Sequence, residues 1–561
     1  MILYPFRYIW WLLSRAWRSI GKAPDYVIFV LESALPTLPD PPGPFWQRFV
    51  SERRLSVKEL GERFDAIARD SRTKGVVLHL RPVPMPMATL QDLRALVSNL
   101  RTRGKRVIAW APFYTTATYY VACSCDEILM MPSGVVFPLG FASTGVFLAD
   151  ALGRVGIKAD FIQVSPYKAA ADPLTKSKMS PELREQVTWL LDSHHKDLVN
   201  AVAESRRVDQ VAAAKLIDAS PYTDDTAVEQ HIVDAVLPEE QLPDHLGGEG
   251  ERARIAAWDQ ARRRLPIPRP STGRGRYVAV MRIEGTIIDG RSGRLPVKPP
   301  IDIPLAGDDR AGDLSVVPLA RQVAADKRAA AAVLFVNSRG GSSSASEAMR
   351  QALELIAKRK PLVIAMGAVA GSGGYLVATP GRWIVARPGT LTGSIGVLTG
   401  KLVTSGLFSR LMVNRETIAF GRHATLEADD DPFTDEEREI VHGAVNRTYE
   451  LFLAAVASSR HMRDDQVRPI AGGRVWTGTQ ALERKLIDEL GGLDTAIQKA
   501  RSLAGLPETT PAREVKAPRR PVPPRAMPSA AGLIGYVLEG ISLLSRAPSL
   551  AVMEVLPKDE Y

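Results

Sequence analysis

Short runs of uninterrupted apolar residues alternate along this chain with longer stretches whose apolar positions recur every three or four residues. "YVIFVLESALP" from Tyr26, "GVVLHLR" ending at Arg81 and "VIA" from Val107 belong to the first kind. "LQDLRALVSNLRTRG" and "ASEAMRQALELIAKR" belong to the second. The first kind predicts buried strands and the second amphipathic helices, so the alternation predicts βαβ units and an α/β fold.

The pattern is written twice. "YVAVMRIEGTI" from Tyr277 resembles the run from Tyr26, and "AVLFVN" ending at Asn337 resembles the run ending at Arg81. From Arg81 to Asn337 the offset is 256, and the same offset relates Val107 to Val363, Tyr119 to Tyr375, Pro132 to Pro388 and Gly140 to Gly396. A constant offset over so many positions predicts two tandem copies of one unit. The boundaries follow: residues 1–22 as an N-terminal helix, 23–245 as the first copy and 246–276 as a Gly/Arg/Pro-rich linker. Residues 277–506 form the second copy, and 507–561 a Pro/Arg-rich linker with an apolar terminal segment.

In the N-terminal 22 residues, Phe6, Ile9, Trp10, Leu13, Trp17 and Ile20 recur at helical spacing, with Arg7, Ser14, Arg18 and Lys22 largely on the other side. The apolar run is too short for a span of about 20 residues. A basic, Trp-rich helix of this kind predicts an interfacial position on an anionic membrane surface. "AAGLIGYVLEGISLL", Ala530–Leu544, is a second apolar segment.

The chain has 561 residues and a net charge of +10. Much of the excess sits at the N-terminus, in the linker and in the tail, with no aromatic-interleaved basic motif, which argues against nucleic-acid binding. Cys123 and Cys125 are the only cysteines. At that spacing they are poorly placed for a disulfide, and with no further ligand they make no zinc site; buried free thiols are expected. The eight histidines show no spacing typical of a metal site or a catalytic triad, and the candidate chemistry described below calls for no metal and no cofactor.

The candidate chemistry lies in "AGSGGYLVATPGRWIVARPGTLTGSIGV", Ala370–Val397. Ser372 stands among Gly371, Gly373 and Gly374, the surroundings of a nucleophile on a tight turn, but no base lies nearby. Comparing the copies position by position locates one. Ser372 corresponds to Thr116, Gly340 and Gly341 to Pro84 and Met85, and Lys168 of "SPYKAAADP" to Ala424. One copy has serine without lysine and the other lysine without serine, which points to Lys168 as the base for Ser372.

Taken together, "IEGTIIDG", "VNSRGGSSSASE", "GSGGYLVAT", "PGTLTGSIGV", "RVWTGTQALERKLIDELGG" and "YKAAADP" resemble the signal peptide peptidase A family. The resemblance covers about Tyr26–Leu506. It implies two tandem repeats of the ClpP/crotonase-like fold, built of ββα spiral units, and a serine endopeptidase that degrades signal-peptide remnants or similar hydrophobic peptides at the membrane. It implies Ser372 as nucleophile, Lys168 as general base and Ser394 as the group that orients the lysine. An unactivated hydroxyl is a poor nucleophile and an exposed lysine is protonated; burial disfavours the charged amine and would let Lys168 accept the proton. Backbone amides of Gly340 or Gly341, with Gly373, are the candidate oxyanion donors. The resemblance further implies a homo-oligomer, a tetrameric bowl, and a bacterial inner-membrane location whose side the sequence leaves open. Arg339 stands where the family usually has proline, placing a cation near the cleft. A crotonase-type acyl-CoA enzyme and an inactive membrane-associated scaffold are the alternatives on the same fold.

Overall fold

The apolar runs of the first half become a parallel sheet whose strands, covered on both faces, have little need of polar alternation. They are β1 (Tyr26–Leu31), β2 (Gly75–Leu80), β3 (Arg106–Ala111) and β4 (Glu127–Met130). A short antiparallel pair, β5 (Val135–Val136) with β7 (Tyr222–Thr223), follows, and β6 (Lys158–Gln163) joins a different sheet described below. With β8 (Ala235–Val236) and β9 (Ile255–Ala257) the main sheet runs β8-β4-β3-β2-β1-β9. Val76, Val77, Val107, Ile108 and Ile128 are wholly buried in it. The helix Val57–Ala68 is started by a capping box between Ser56 and Glu59 and turns Val57, Leu60, Phe64 and Ile67 inward. Such a reciprocal cap satisfies two otherwise orphaned backbone donors.

The computed structural model describes residues 3–19, 21–40, 54–248, 250–267, 275–293, 309–516 and 550–552. Positions 268–274 of the linker and the apolar run Ala530–Leu544 lie outside the described residues. The chain divides into two compact units, and the division is not a single cut. Among the described residues, those in 1–142 and 191–275 make the first, while those in 143–190 join those in 276–558 in the second. The segment carrying Lys168 therefore belongs with the second unit.

That second unit holds β10 (Tyr277–Glu284), β11 (Thr286–Ile288), β12 (Arg310–Gly312), β13 (Ala329–Ser338) and β14 (Gly340–Ser342). It continues with β15 (Leu362–Gly371), β16 (Trp383–Ala386), β17 (Leu391–Gly393), β18 (Leu398–Val403) and β19 (Val475–Thr477). The last strands are β20 (Glu489–Leu490), β21 (Ala512–Glu514) and β22 (Leu550–Val552). The main sheet runs β19-β17-β15-β13-β10-β21, with β16 and β20 branching from β15. A second sheet runs β12-β11-β14-β22-β18-β6.

The repetition extends to individual hydrogen bonds, each within its own unit. Tyr119 donates its hydroxyl to the Ile232 carbonyl at 2.8 Å, and Tyr375 to that of Leu486 at 2.7 Å. The Ile128 amide donates to Asp234 at 2.6 Å, and the Ile384 amide to Asp488 at 2.7 Å. Arg206 pairs with Asp234 as Arg460 pairs with Asp488. Buried polar groups are costly unless paired, so the same satisfied set marks one architecture used twice.

Candidate active site

Two register positions build the site. Gly371 of β15 lies opposite Gly393 of β17, so Ser372 and Ser394 leave neighbouring strand ends side by side. Ser338 of β13 lies opposite Ala370 of β15, which brings the Gly340–Gly341 turn to the same sheet end. Ser372 caps the short helix Gly373–Leu376 with φ 55° and ψ −120°, a backbone state that L-residues rarely adopt. Its amide donates to the Gly393 carbonyl at 2.8 Å. Ser372 thus sits, strained, on a strand-to-helix turn.

Lys168 arrives from another direction. β6 runs antiparallel to β18, from Lys158↔Val403 to Gln163↔Leu398, and the chain then turns through Ser165 to Lys168. The Lys168 Nζ lies 2.7 Å from Ser372 Oγ. It also donates to the carbonyl and the hydroxyl of Ser394, both at 3.0 Å. Ser372, Lys168 and Ser394 are each 1% exposed or less. Ser372 Oγ, Ser394 Oγ and the Ser394 carbonyl thus all lie within hydrogen-bonding distance of the one amine. Ser394 itself has φ 49° and is held by its amide on the Arg474 carbonyl at 2.7 Å.

The sequence-derived site residues thus converge, but not all the glycines are equivalent. The Gly340 amide donates to Ser338 Oγ at 3.1 Å, and Ser338 Oγ donates to the Gly285 carbonyl at 2.5 Å. Gly341, with φ 151°, is wedged so tightly that a Cβ there would lie 2.0 Å from the Ile287 carbonyl. At Gly374 a Cβ would lie 2.5 Å from the Ser338 carbonyl. Arg339, between Ser338 and Gly340, is partly exposed.

Sequence reasoning missed the groups that position the lysine. A Cβ on Gly473 would lie 2.5 Å from Lys168 Cα, and one on Gly396 3.3 Å from Lys168 Cδ. Ser165 Oγ donates to the Gly472 carbonyl at 2.6 Å. Tyr167 stacks on Trp189 and Trp189 on Trp476, with ring centroids 6.1 and 4.9 Å apart, while the Trp189 indole donates to the Val475 carbonyl at 2.9 Å. The Arg474 guanidinium lies 3.9 Å over the Tyr167 ring. The one signal for these was "RVWTGTQALERKLIDELGG", whose Trp476 is part of the stack.

In the first unit Thr116 occupies the Ser372 position. Its hydroxyl donates to the Gly140 carbonyl at 3.0 Å, the counterpart of the bond from Ser372 Oγ to the Gly396 carbonyl at 3.3 Å. Ala424, at the Lys168 position, is exposed. Cys123 and Cys125 are buried and free, and burial pushes both thiols up, Cys125 to about 12, away from reactive thiolate. Among the described residues no cluster of histidine, cysteine and carboxylate side chains could hold a metal, and no helix is long and apolar enough to cross a membrane.

Comparison with known proteins places this arrangement. The profile of Peptidase family S49 matches residues 99–246 and again 354–507. "Serine protease SPPA, chloroplastic" of Arabidopsis thaliana is 30% identical over 81% of this chain, an alignment that spans 66% of the plant protein. "Protease 4" of Haemophilus influenzae is 27% identical, covering 83% of this chain and 77% of that protein. "Protease 4" of Salmonella typhi is 29% identical, covering 81% and 74%.

Proposed function

Because the chain belongs to peptidase family S49 and its class is serine peptidase, we propose that it hydrolyses extended apolar peptides through a Ser372–Lys168 dyad at a membrane surface. The observation that carries this is the 2.7 Å approach of Lys168 Nζ to Ser372 Oγ, both buried, with Ser394 holding the amine. Lys168 takes the hydroxyl proton as Ser372 Oγ attacks the scissile carbonyl. The tetrahedral oxyanion is received by the amides of Gly341 and Gly373, since the Gly340 amide is already spent on Ser338. Lys168 then passes the proton to the departing amine, leaving an acyl-enzyme on Ser372 that water hydrolyses with Lys168 again as base.

The membrane part rests on the N-terminal helix Leu3–Ser19. Trp11 donates to the Ile267 carbonyl at 3.0 Å and Arg18 to that of Leu265 at 3.1 Å, so one face is occupied. Phe6, Ile9, Trp10, Leu13 and Trp17 are 54–68% exposed, and Arg15, Arg262 and Arg263 are exposed on the helix and on the segment it docks against. An aromatic face beside cations suits an anionic lipid interface.

A serine-directed fluorophosphonate probe and a fluorogenic apolar peptide test the dyad. The wild-type chain should label and turn over, and Ser372→Ala should do neither while keeping its thermal unfolding profile. Full labelling of Ser372→Ala would place the nucleophile elsewhere.

A further inference from the structure

β14 is three residues long and meets β11 at a single register position, Ile287↔Gly341. One rung leaves such a strand free to tilt, yet a backbone donor for an oxyanion has to be held to within about 0.5 Å. Two buried hydroxyls supply the missing constraints. Ser338 Oγ donates to the carbonyl of Gly285, the residue before β11, at 2.5 Å and accepts the Gly340 amide at 3.1 Å. Ser342 Oγ, at the far end of β14, donates to the carboxylate of Asp289, the residue after β11, and accepts the Ala345 amide at 3.2 Å. The second oxygen of Asp289 accepts from Ser344 Oγ at 2.8 Å. Both clamps join residues 53 apart in sequence, so they fix one register of β14 on β11 from its two ends. Ser338 and Ser342 are 2% and 5% exposed, which keeps water from competing for these bonds.

Two further observations tie the clamps to the chemistry. A Cβ on Gly374, in the helix that Ser372 caps, would lie 2.5 Å from the Ser338 carbonyl, so the main chain held by the first clamp packs directly on the nucleophile's turn. In the first copy, at the offset of 256, Ser338, Gly340 and Ser342 correspond to Pro82, Pro84 and Pro86. Proline offers neither a hydroxyl nor an amide N–H, so the clamps are absent from the copy that lacks the serine. We infer that Ser338 and the Ser342–Asp289 pair are positioning residues: they aim the Gly341 amide at the charge that develops when Ser372 attacks. This rests on the reading of Ser372 as the peptidase nucleophile. Such a role shows in kcat and not in KM, because the oxyanion occupies a position that the ground-state carbonyl oxygen does not.

The test uses the full chain carrying Ser338→Ala, which releases the Gly340 amide and the Gly285 carbonyl together. On the fluorogenic peptide kcat should fall roughly 10- to 100-fold with KM within about twofold, short of the roughly 100- to 1,000-fold lost when an oxyanion donor is removed outright. A peptide aldehyde and the matching peptide alcohol separate aim from fold. Ser372 adds to the aldehyde to give a tetrahedral adduct that carries the oxyanion, and the alcohol forms none. The inhibition constant of the aldehyde should rise by the factor lost in kcat while that of the alcohol stays unchanged. Equal weakening of both, or wild-type affinity for the aldehyde, overturns the inference. Should Ser338→Ala fail to fold, Asp289→Ala decides, since Asp289 is exposed and its loss releases the other end of β14. It should weaken the aldehyde several-fold and spare the alcohol; an unchanged aldehyde constant overturns the inference. Failure of the dyad reading looks different, since Ser372→Ala would then retain labelling whatever the clamps do.

Discussion

Gly473 is the residue whose replacement should test the lysine's position without touching the lysine. A Cβ at 473 would lie 2.5 Å from Lys168 Cα, 2.6 Å from its nitrogen and 2.7 Å from its Cβ. Ordinary contact begins near 3.4 Å, so Gly473→Ala forces one of the two turns to yield by roughly 0.9 Å. Applied to the 2.7 Å approach of Nζ to Ser372 Oγ, that shift gives about 3.6 Å, outside hydrogen-bonding distance. Misplacing a catalytic group by about 1 Å costs on the order of 100-fold in rate. Alanine at the φ of +92° found here adds backbone strain of about 1–2 kcal/mol. Gly505→Ala separates the two effects, because Gly505 has φ +60° with nothing within 4 Å of its would-be Cβ. The assay is kcat/KM on a fluorogenic peptide, the fluorophosphonate labelling rate and the melting temperature for both variants. Gly473→Ala should lose about 100-fold in kcat/KM and label slowly, whereas Gly505→Ala should lose stability alone. If Gly473→Ala keeps kcat/KM within threefold of wild type and labels at the normal rate, the placement of Lys168 is not what activates Ser372.

Lys168→Arg should be nearly as inactive as Lys168→Ala in the same assays, because a guanidinium stays protonated and cannot accept the Ser372 proton; substantial turnover by Lys168→Arg would exclude a proton-accepting role. Thr116→Ala, at the corresponding position of the first unit, should leave kcat/KM within twofold, and a large loss there would reveal chemistry in that unit. Asp197, which accepts from the Gln91 amide at 2.9 Å, is held up at about 6, with burial as the largest cause. A carboxyl raised above its unfolded value favours the folded state most at low pH, and that contribution is lost as pH rises through about 6; holding the carboxyl at about 6 is worth about 3 kcal/mol. Asp197→Asn should therefore be stabilised relative to wild type at pH 8 by more than at pH 5, and denaturant unfolding with equal differences at both pH values would refute this. Replacing Trp10 and Leu13 by alanine should weaken binding to anionic vesicles about tenfold and spare hydrolysis of a soluble peptide; unchanged vesicle sedimentation would remove the helix from the membrane reading.

The strands that form the buried sheets were legible because a strand covered on both faces is a continuous apolar run, as in "YVIFVL", "GVVLHL" and "AVLFVN". Two of the three polar side chains that meet at the centre were legible for a different reason, and the third, Ser394, only through the family resemblance. Two imperfect copies supply an internal comparison, and Ser372 and Lys168 stand out as positions where one copy lacks what the other has. What could not be read is the framework that joins them. Gly472 and Gly473 look like any surface turn until Lys168 is found packed on them, and Trp189 looks like one apolar position on a long helix until it stacks on Trp476. Those contacts depend on pairing β6 with β18 across some 240 residues of chain, a choice made by packing and not by any local preference.

That pairing shows the same division as the chemistry. The positions that correspond to β18 in the first copy are 142–147, and they form no strand. Those that correspond to β6 in the second copy are 414–419; they too form no strand, and they leave Ile418 89% exposed beside Phe420 at 92%. So the first copy has kept the strand that delivers the lysine and lost the strand it would pair with, while the second has kept the receiving strand and lost the delivering one. A serine and a lysine divided between two copies can act together only if the pieces of backbone that carry them are divided in the same way. Residues 143–190 are the piece that satisfies this condition: flanked in sequence by the first unit on both sides, they form part of the second, with the β6–β18 ladder fixing the reach of Lys168. Position 424 of the second copy, an exposed alanine, and position 116 of the first, a threonine whose hydroxyl is taken up by the Gly140 carbonyl, lie on backbone that lacks this ladder.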